Sequence, residues 1–237
     1  HYRAAGVDTI DSILISHAHI DHVGSLPILA EEYESPPIYM SGPTKDLSAV
    51  MLLDSARIQA ARTNREMDVV ELAESDLSEQ GIEREAYEEH DVRRVMDEVN
   101  VATPNQPFHV PDTNLIAMFQ PVDHVLGACA IHLKHRETGA TLLYTGDLGP
   151  FTSPQRTLPG RNPIDTLLHA DVVIMESTYG GMNAEGREGR RRLHTGREQA
   201  VQLLRDAAEK ALGRGGFILL PAFSLGRTQE LLNILAG

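Results

Sequence analysis

The chain has 237 residues, with 21 Lys and Arg against 34 Asp and Glu for a net charge of −13. That length allows one large domain, or one domain and part of a second, around a sizeable core, and the charge argues against a general polyanion binder, because nucleic acid is held largely by Lys and Arg. No uninterrupted apolar stretch approaches a membrane span, no signal layout opens the chain, and the lone Cys129 allows no internal disulfide, so the sequence reads as soluble, free of membrane contact and cytoplasmic. Opening at His1 and closing at Leu235-Ala236-Gly237 inside a helical pattern, it also reads as part of a longer polypeptide.

In chain order, Ile13-Leu14-Ile15 predicts a short buried strand that delivers Ser16-His17-Ala18-His19-Ile20-Asp21-His22 to its C-terminal end. Ser25 and Pro27 suit a helix start, with Leu26, Leu29 and Ala30 as its apolar face. Pro37-Ile38-Tyr39-Met40 predicts a second strand. Leu47, Val50, Met51 and Ile58 then follow helical spacing, predicting a helix from about Thr44 to Ala61. Residues 63–100 hold thirteen acidic and four basic side chains and read as a helical, solvated excursion without chemistry of its own. Strands are expected at Leu115-Ile116-Ala117-Met118-Phe119, at Ala130-Ile131-His132-Leu133 and Thr141-Leu142-Leu143-Tyr144 as a hairpin, and at Val172-Val173-Ile174-Met175. Beyond Gly180-Gly181 the composition turns to Gly and Arg, which marks a boundary between a domain of residues 1–180 and another beginning at 181–237. Thr195-Gly196-Arg197-Glu198 fits a capping box for a helix running to about Leu212. Phe217-Ile218-Leu219-Leu220 predicts a buried strand, and a last helix starts near Gly226.

Three histidines and an aspartate within six residues form the ligand set of zinc-like metals. Four such residues in one loop do not reach one tetrahedral ion comfortably. Alternation divides them, His17 and His19 pointing one way while Asp21 and His22 turn to a neighbouring ion. Two ions about 3.5 to 4 Å apart would clamp a phosphoryl oxygen, and each still needs ligands from elsewhere. His124, in Pro121-Val122-Asp123-His124-Val125-Leu126-Gly127, and Asp147, in Tyr144-Thr145-Gly146-Asp147, follow strands and are the best candidates. His90, His109, His132, His135, His169 and His194 lack such context and read as surface or packing residues.

These residues resemble the metallo-β-lactamase fold and, within it, the β-CASP nucleases. The likeness rests on residues 17–22, on His124 and Gly127, on Gly146-Asp147, on Glu176-Ser177-Thr178-Tyr179-Gly180, and on Pro221-Ala222-Phe223-Ser224-Leu225-Gly226-Arg227-Thr228-Gln229-Glu230-Leu231, in the family's order. The last two stretches point to the β-CASP branch. The resemblance implies an α/β fold, the αβ/βα sandwich of the family, incomplete in this chain, with the start of a β-CASP domain. It also implies two Zn2+ ions: His17, His19 and His124 on one, Asp21 and His22 on the other, Asp147 bridging both. Asp21 and Glu176 are the carboxylates assigned to catalysis, Glu176 by orienting a downstream histidine. The implied activity is that of a zinc-dependent phosphodiester hydrolase cleaving single-stranded RNA with a hydroxide activated by two metals. Arg227 and Arg191, the latter in a run with Arg187, Arg190, Arg192 and Arg197, would guide the RNA backbone. Oligomeric state is open, a homodimer being allowed.

The sequence departs from the family at Asp123, where Gly is usual and which would serve as an acceptor for a ligand imidazole. The strands and aspartate that usually precede the first motif are absent, and the family's later histidines fall beyond Gly237, so residues 1–237 alone are expected to be inactive. Two rivals stand beside the ribonuclease: a hydrolase of thioester or lactam type on the same core, and a non-catalytic subunit of an RNA-processing complex.

Overall fold

The apolar run ahead of the histidine cluster forms a strand because Ile13, Leu14 and Ile15 are β-branched or bulky and half or fully buried. The computed structural model describes residue 3 and residues 6–71, 87–149, 168–178 and 197–236, the side chains of 62–71 and 197 excepted. In order, the chain forms β1 (Ile13–Leu14), α1 (Ile20–Val23), α2 (Leu26–Glu32), β2 (Ile38–Met40), α3 (Gly42–Glu71), α4 (Glu89–Glu98) and β3 (Asn100–Val101). The three strands make a parallel sheet in the order β1-β2-β3, and helices carry each crossover. Next come β4 (Phe108–His109), β5 (Leu115–Pro121), β6 (Cys129–His135), β7 (Thr141–Tyr144) and β8 (Val172–Ile174). They form a second sheet in the order β4-β5-β6-β7-β8, antiparallel except for the parallel pair β7 and β8.

Burial orders these parts into layers. Val23, Leu26, Leu52, Ala56, Val92, Val95 and Met96 of the four helices pack on Ile15, Ile38 and Met40 of the parallel sheet. The two sheets face each other through Phe119, Cys129 and Ile131 of one and Leu14 and Tyr39 of the other. The Tyr39 and Phe108 rings lie 4.7 Å apart across that interface. The result is a mixed α/β fold with a helix layer, a three-stranded sheet and a five-stranded sheet.

Two expectations are corrected here. The inward face of α3 is not Leu47, Val50, Met51 and Ile58, for Val50 is 64% and Ile58 46% exposed. Thr44, Ser48, Leu52 and Ala56, four residues apart, are buried instead. Hydroxyls on this stripe hide it from a hydropathy reading, and α3 also continues to Glu71. Nor are residues 87–99 a solvated excursion. Tyr87, Val92, Val95, Met96 and Val99 are core residues, while the charged remainder of α4 faces solvent. The acidic run Glu83-Arg84-Glu85-Ala86 lies outside the described residues. The strands β3 and β4 carry no apolar run of the kind that marks β1, Asn100-Val101 and Phe108-His109 each pairing one apolar residue with one polar one.

The described residues divide into two units, the first up to 149 with 168–175, the second 176–178 with 197–236. The second contains α5 (Arg197–Leu212) and α6 (Arg227–Ala236). The Arg205 guanidinium donates to the Ile234 carbonyl from Nε at 3.0 Å and Nη2 at 2.9 Å, joining the two helices. α5 ends at Leu212 as expected, but the left-handed glycine that closes the turn beyond it is Gly215, φ +67°, not Gly213, with the Gly216 N–H donating to the Ala211 carbonyl. Phe217-Ile218-Leu219-Leu220 is not a buried strand: no described strand pairs with it, and Phe217 is 99% exposed. A strand needs a partner for its backbone groups, which no described residue supplies. Thr195, of the expected capping box, and Gly180-Gly181 lie outside the described residues. Among the described residues no helix is long and apolar enough to cross a membrane.

Leu52 and Val50 separate the two faces of α3. Leu52→Ala should lower unfolding stability by about 2–5 kcal/mol and Val50→Ala by less than about 0.5 kcal/mol, read from urea denaturation.

Candidate functional site

β1 ends at Leu14, and the chain leaves the parallel sheet with Ser16 and His17 still buried before α1 turns it back. His17, His19, Asp21 and His22 are therefore displayed beyond the C-terminal edge of β1. His124 arrives on the loop between β5 and β6, and Asp147 on the segment after β7. The structure brings all six together in two overlapping groups, His17, His19, His124 and Asp147, and Asp21, His22 and Asp147.

In the first group the inward atoms are His17 Nε2, His19 Nδ1, His124 Nε2 and Asp147 Oδ2. His19 Nδ1 lies 3.2 Å from His17 Nε2 and 3.0 Å from His124 Nε2. Asp147 Oδ2 lies 3.8 Å from His17 Nε2 and 3.5 Å from His124 Nε2. Ligand atoms around a tetrahedral zinc, with bonds of about 2.0–2.2 Å, sit about 3.3 Å apart, so this donor set fits a metal ion. The other Asp147 oxygen, Oδ1, is 3.3 Å from His22 Nε2, and Asp21 Oδ2 is 3.6 Å from the same nitrogen. One carboxylate thus offers one oxygen to each group. The side chain of Asp21 is 73% exposed, so the second group opens to solvent, while in the first His17 is buried and His19, His124 and Asp147 are half-buried.

Protons decide what this crowd of imidazoles can do. Burial, then the neighbouring His22, His124 and His19, pushes the His17 imidazole down to about 2, so it stays neutral. Ser16 Oγ lies 3.1 Å from His17 Nδ1. A proton on Nδ1 satisfies that contact and leaves the Nε2 lone pair directed into the cluster. His19 Nε2 is buried with no hydrogen-bond partner among the described residues, whereas its Nδ1 faces two other ring nitrogens. Such an arrangement is costly for the protein alone and suits a cation that takes the inward lone pairs. Tyr144 Oη sits 3.5 Å from His22 Nδ1, and burial followed by the Asp147 charge raises the Tyr144 phenol.

Glycine makes the approach feasible. Gly146 has φ +56°, and a Cβ there would lie 2.8 Å from both Cβ and Oγ of Ser16. Gly146 and Ser16 are thus parts of the site to which the sequence assigned no role; the signal was their position next to a candidate ligand. Of the other expected residues, Glu176 is half-buried at the start of the second unit. Arg227 Nη1 lies 2.6 Å from Glu230 Oε2 within α6, and Arg191 lies outside the described residues, as do its arginine neighbours from 187 to 192. His132 is buried near the His169 carbonyl, at 3.4 Å, and the His135 ring packs on the Thr138 turn.

Comparison with known proteins gives an independent result. The chain matches the beta-lactamase superfamily domain over residues 1–212. It is 33% identical over 229 residues to cleavage and polyadenylation specificity factor subunit 3-II of Arabidopsis thaliana, covering 96% of this chain and 32% of that protein. It is 28% identical over 226 residues to an RNase J-like protein of Methanocaldococcus jannaschii, covering 95% of this chain and 43% of that protein. It is 29% identical over 235 residues to the endoribonuclease ysh1 of Schizosaccharomyces pombe, covering 97% of this chain and 26% of that protein. The chain spans less than half the length of each of these relatives.

Two outcomes follow from the site. Ser16→Ala removes the His17 partner and should weaken metal binding about 10- to 100-fold in a chelator competition. In metal-free protein the unfolded chain takes up a proton on His17 near 6.5 that the folded chain refuses down to about 2. Stability supplied by His17 is therefore complete above pH 6.5 and is lost as pH falls below it, by roughly 1.4 kcal/mol per pH unit; urea midpoints measured from pH 7 to 5 with and without His17→Asn should show it.

Proposed function

Because the chain belongs to the metallo-β-lactamase superfamily, and to the β-CASP nucleases within it, we propose that it is the catalytic part of a zinc-dependent ribonuclease. On this reading residues 1–180 are the catalytic core and 181–237 begin the β-CASP domain, the protein works in the cytoplasm on single-stranded RNA, and a homodimer is allowed. The observation that carries the reading is the divided carboxylate of Asp147, with Oδ2 toward His17 and His124 and Oδ1 toward His22. A single structural zinc needs no such shared ligand; a pair of ions does.

His17 Nε2, His19 Nδ1, His124 Nε2 and Asp147 Oδ2 hold one ion, and Asp21, His22 Nε2 and Asp147 Oδ1 contribute to the other. Zinc held there makes water a nucleophile at neutral pH and offsets the charge that grows on phosphorus. A Ser16 partner for the His17 proton on the outer nitrogen leaves the inner nitrogen free to act as a ligand at neutral pH. Asp21, on the solvent side of the pair with its side chain 73% exposed, is assigned to catalysis as the carboxylate that faces an arriving phosphate. Glu176 is assigned the orientation of a catalytic histidine. Arg191 and Arg227 are assigned to the RNA backbone, Arg227 being 54% exposed while paired with Glu230. The Arabidopsis, Methanocaldococcus and Schizosaccharomyces relatives, by their names, act in RNA cleavage or resemble proteins that do, which favours RNA over a thioester or lactam.

The test uses the full-length protein, labelled single-stranded RNA and zinc. Asp147→Asn and His19→Ala should each lower the cleavage rate more than about 100-fold. Equal cleavage by all three proteins would overturn the assignment, and turnover of a thioester or lactam without RNA cleavage would move it to another branch of the superfamily.

A further inference from the structure

The β5 to β6 loop that carries His124 is held from outside itself by two buried hydroxyls at the start of α3. Ser41 Oγ donates to the Gly127 carbonyl at 2.7 Å and Thr44 Oγ1 donates to the same oxygen at 2.9 Å, from more than eighty residues away in the chain. Both side chains are buried, and Ser41 Oγ also accepts the Thr44 backbone N–H at 3.3 Å, so it caps α3 while it grips the loop. The two hydroxyl oxygens also lie 2.9 Å apart, Ser41 Oγ within donor reach of Thr44 Oγ1, so two protons serve three contacts and at least one always reaches the buried carbonyl. The approach is close enough to exclude any side chain. Gly127 has φ +84°, and a Cβ there would lie 2.6 Å from the Thr44 nitrogen, 2.8 Å from Thr44 Oγ1 and 2.9 Å from Ser41 Oγ.

We propose that Ser41 and Thr44 are positioning residues for the metal centre, acting through the Gly127 carbonyl to set where His124 stands against His17 and His19. The inference rests on the reading of that cluster as a metal site. The loop has its own bonds, Val122 N–H to the Ala128 carbonyl at 2.9 Å and Ala128 N–H to the Val125 carbonyl at 3.0 Å, which fix its shape. They do not fix its place relative to the parallel sheet that presents His17 and His19. Two of the described connections that do so are the Cys129 N–H to the Ser16 carbonyl at 2.9 Å and the paired hydroxyls. The first anchors the β6 side of the loop to the His17 segment. The second anchors Gly127 to the C-terminal end of β2, through the residues that begin α3. Removing the hydroxyls leaves a buried carbonyl without donors and frees the loop to shift, and a shift of a few tenths of an ångström alters a contact such as the 3.0 Å between His124 Nε2 and His19 Nδ1. The role also accounts for Thr44 on the buried stripe of α3, where an apolar side chain would pack but could not donate.

The experiment measures metal binding in the full-length protein, by zinc competition with a chromophoric chelator and by the visible absorption of the cobalt-substituted form, which reports ligand geometry. Thr44→Val, nearly the same shape without the donor, should weaken zinc binding about tenfold and shift the cobalt bands, and Thr44→Ser should restore both. Where Thr44→Val does not fold, Ser41→Ala, which leaves one donor in place, is read in the same way. Wild-type affinity and spectrum in the donor-deleted protein would overturn the proposal, even with a lowered melting temperature, because that is the signature of a purely structural bond. Failure of Thr44→Ser to restore binding would also overturn it, by assigning the effect to the methyl group. If the wild-type protein takes up no metal, the metal reading itself fails, and this inference with it.

Discussion

Four imidazole rings gathered with centroids as close as 4.0 Å cannot all carry charge, and the enclosed one among them, His17, cannot carry any. The architecture of the first unit can be followed from that constraint. Neutral rings need somewhere to put their single protons, and the protein supplies Ser16 Oγ on the outer side of His17. The inward lone pairs then need a cation, and the Asp147 carboxylate supplies countercharge shared between two ligand groups. Glycine at 146 lets the Asp147 segment close on Ser16, and glycine at 127 lets the His124 loop close on α3. Neither closure tolerates a Cβ, so the positions of the ligands are set by backbone approaches that only glycine permits.

Much of this was legible in the residues. His17, His19, Asp21 and His22 announce a metal site through type and spacing, and the apolar runs that end just before the cluster, before His124 and before Asp147 place all three at strand ends. The five stretches shared with the β-CASP nucleases gave the fold family, which the match over residues 1–212 supports. What stayed hidden was everything that depends on a partner far away in sequence. Thr44 and Ser48 look like surface positions by residue type, and only the packed sheet shows that they face inward on one stripe with Leu52 and Ala56. Val92, Val95 and Met96 carry a helical apolar stripe, but the surrounding acidic residues drowned it in an average over the segment. Phe217 to Leu220 has strand chemistry and no strand neighbour among the described residues. In each case local composition named a propensity, and tertiary context decided whether it was used.

The two sheets divide the ligands between them. His17, His19, Asp21 and His22 extend from the parallel sheet, while His124 and Asp147 extend from the mixed one, and the apolar interface of Leu14, Tyr39, Phe119 and Ile131 lies beneath. That interface sets the spacing of the sheets coarsely, through the thickness of side chains. Hydrogen bonds between named atoms, Cys129 to Ser16 and Ser41 and Thr44 to Gly127, refine it to the precision that coordination requires.

Because the ligands come from both sheets, an ion at the first group would join His19 to His124 across a chain separation of 105 residues. It would act as a cross-link as much as a cofactor. Closing a loop of that length costs the unfolded chain conformational entropy, and a cation with affinity only for the closed form returns that cost as folding free energy. The layered core and the metal site would then melt as one cooperative body when loaded, and as two sheets held only by apolar contact and a few hydrogen bonds when stripped. Chelation would loosen the sandwich itself, well beyond the residues that touch the ion.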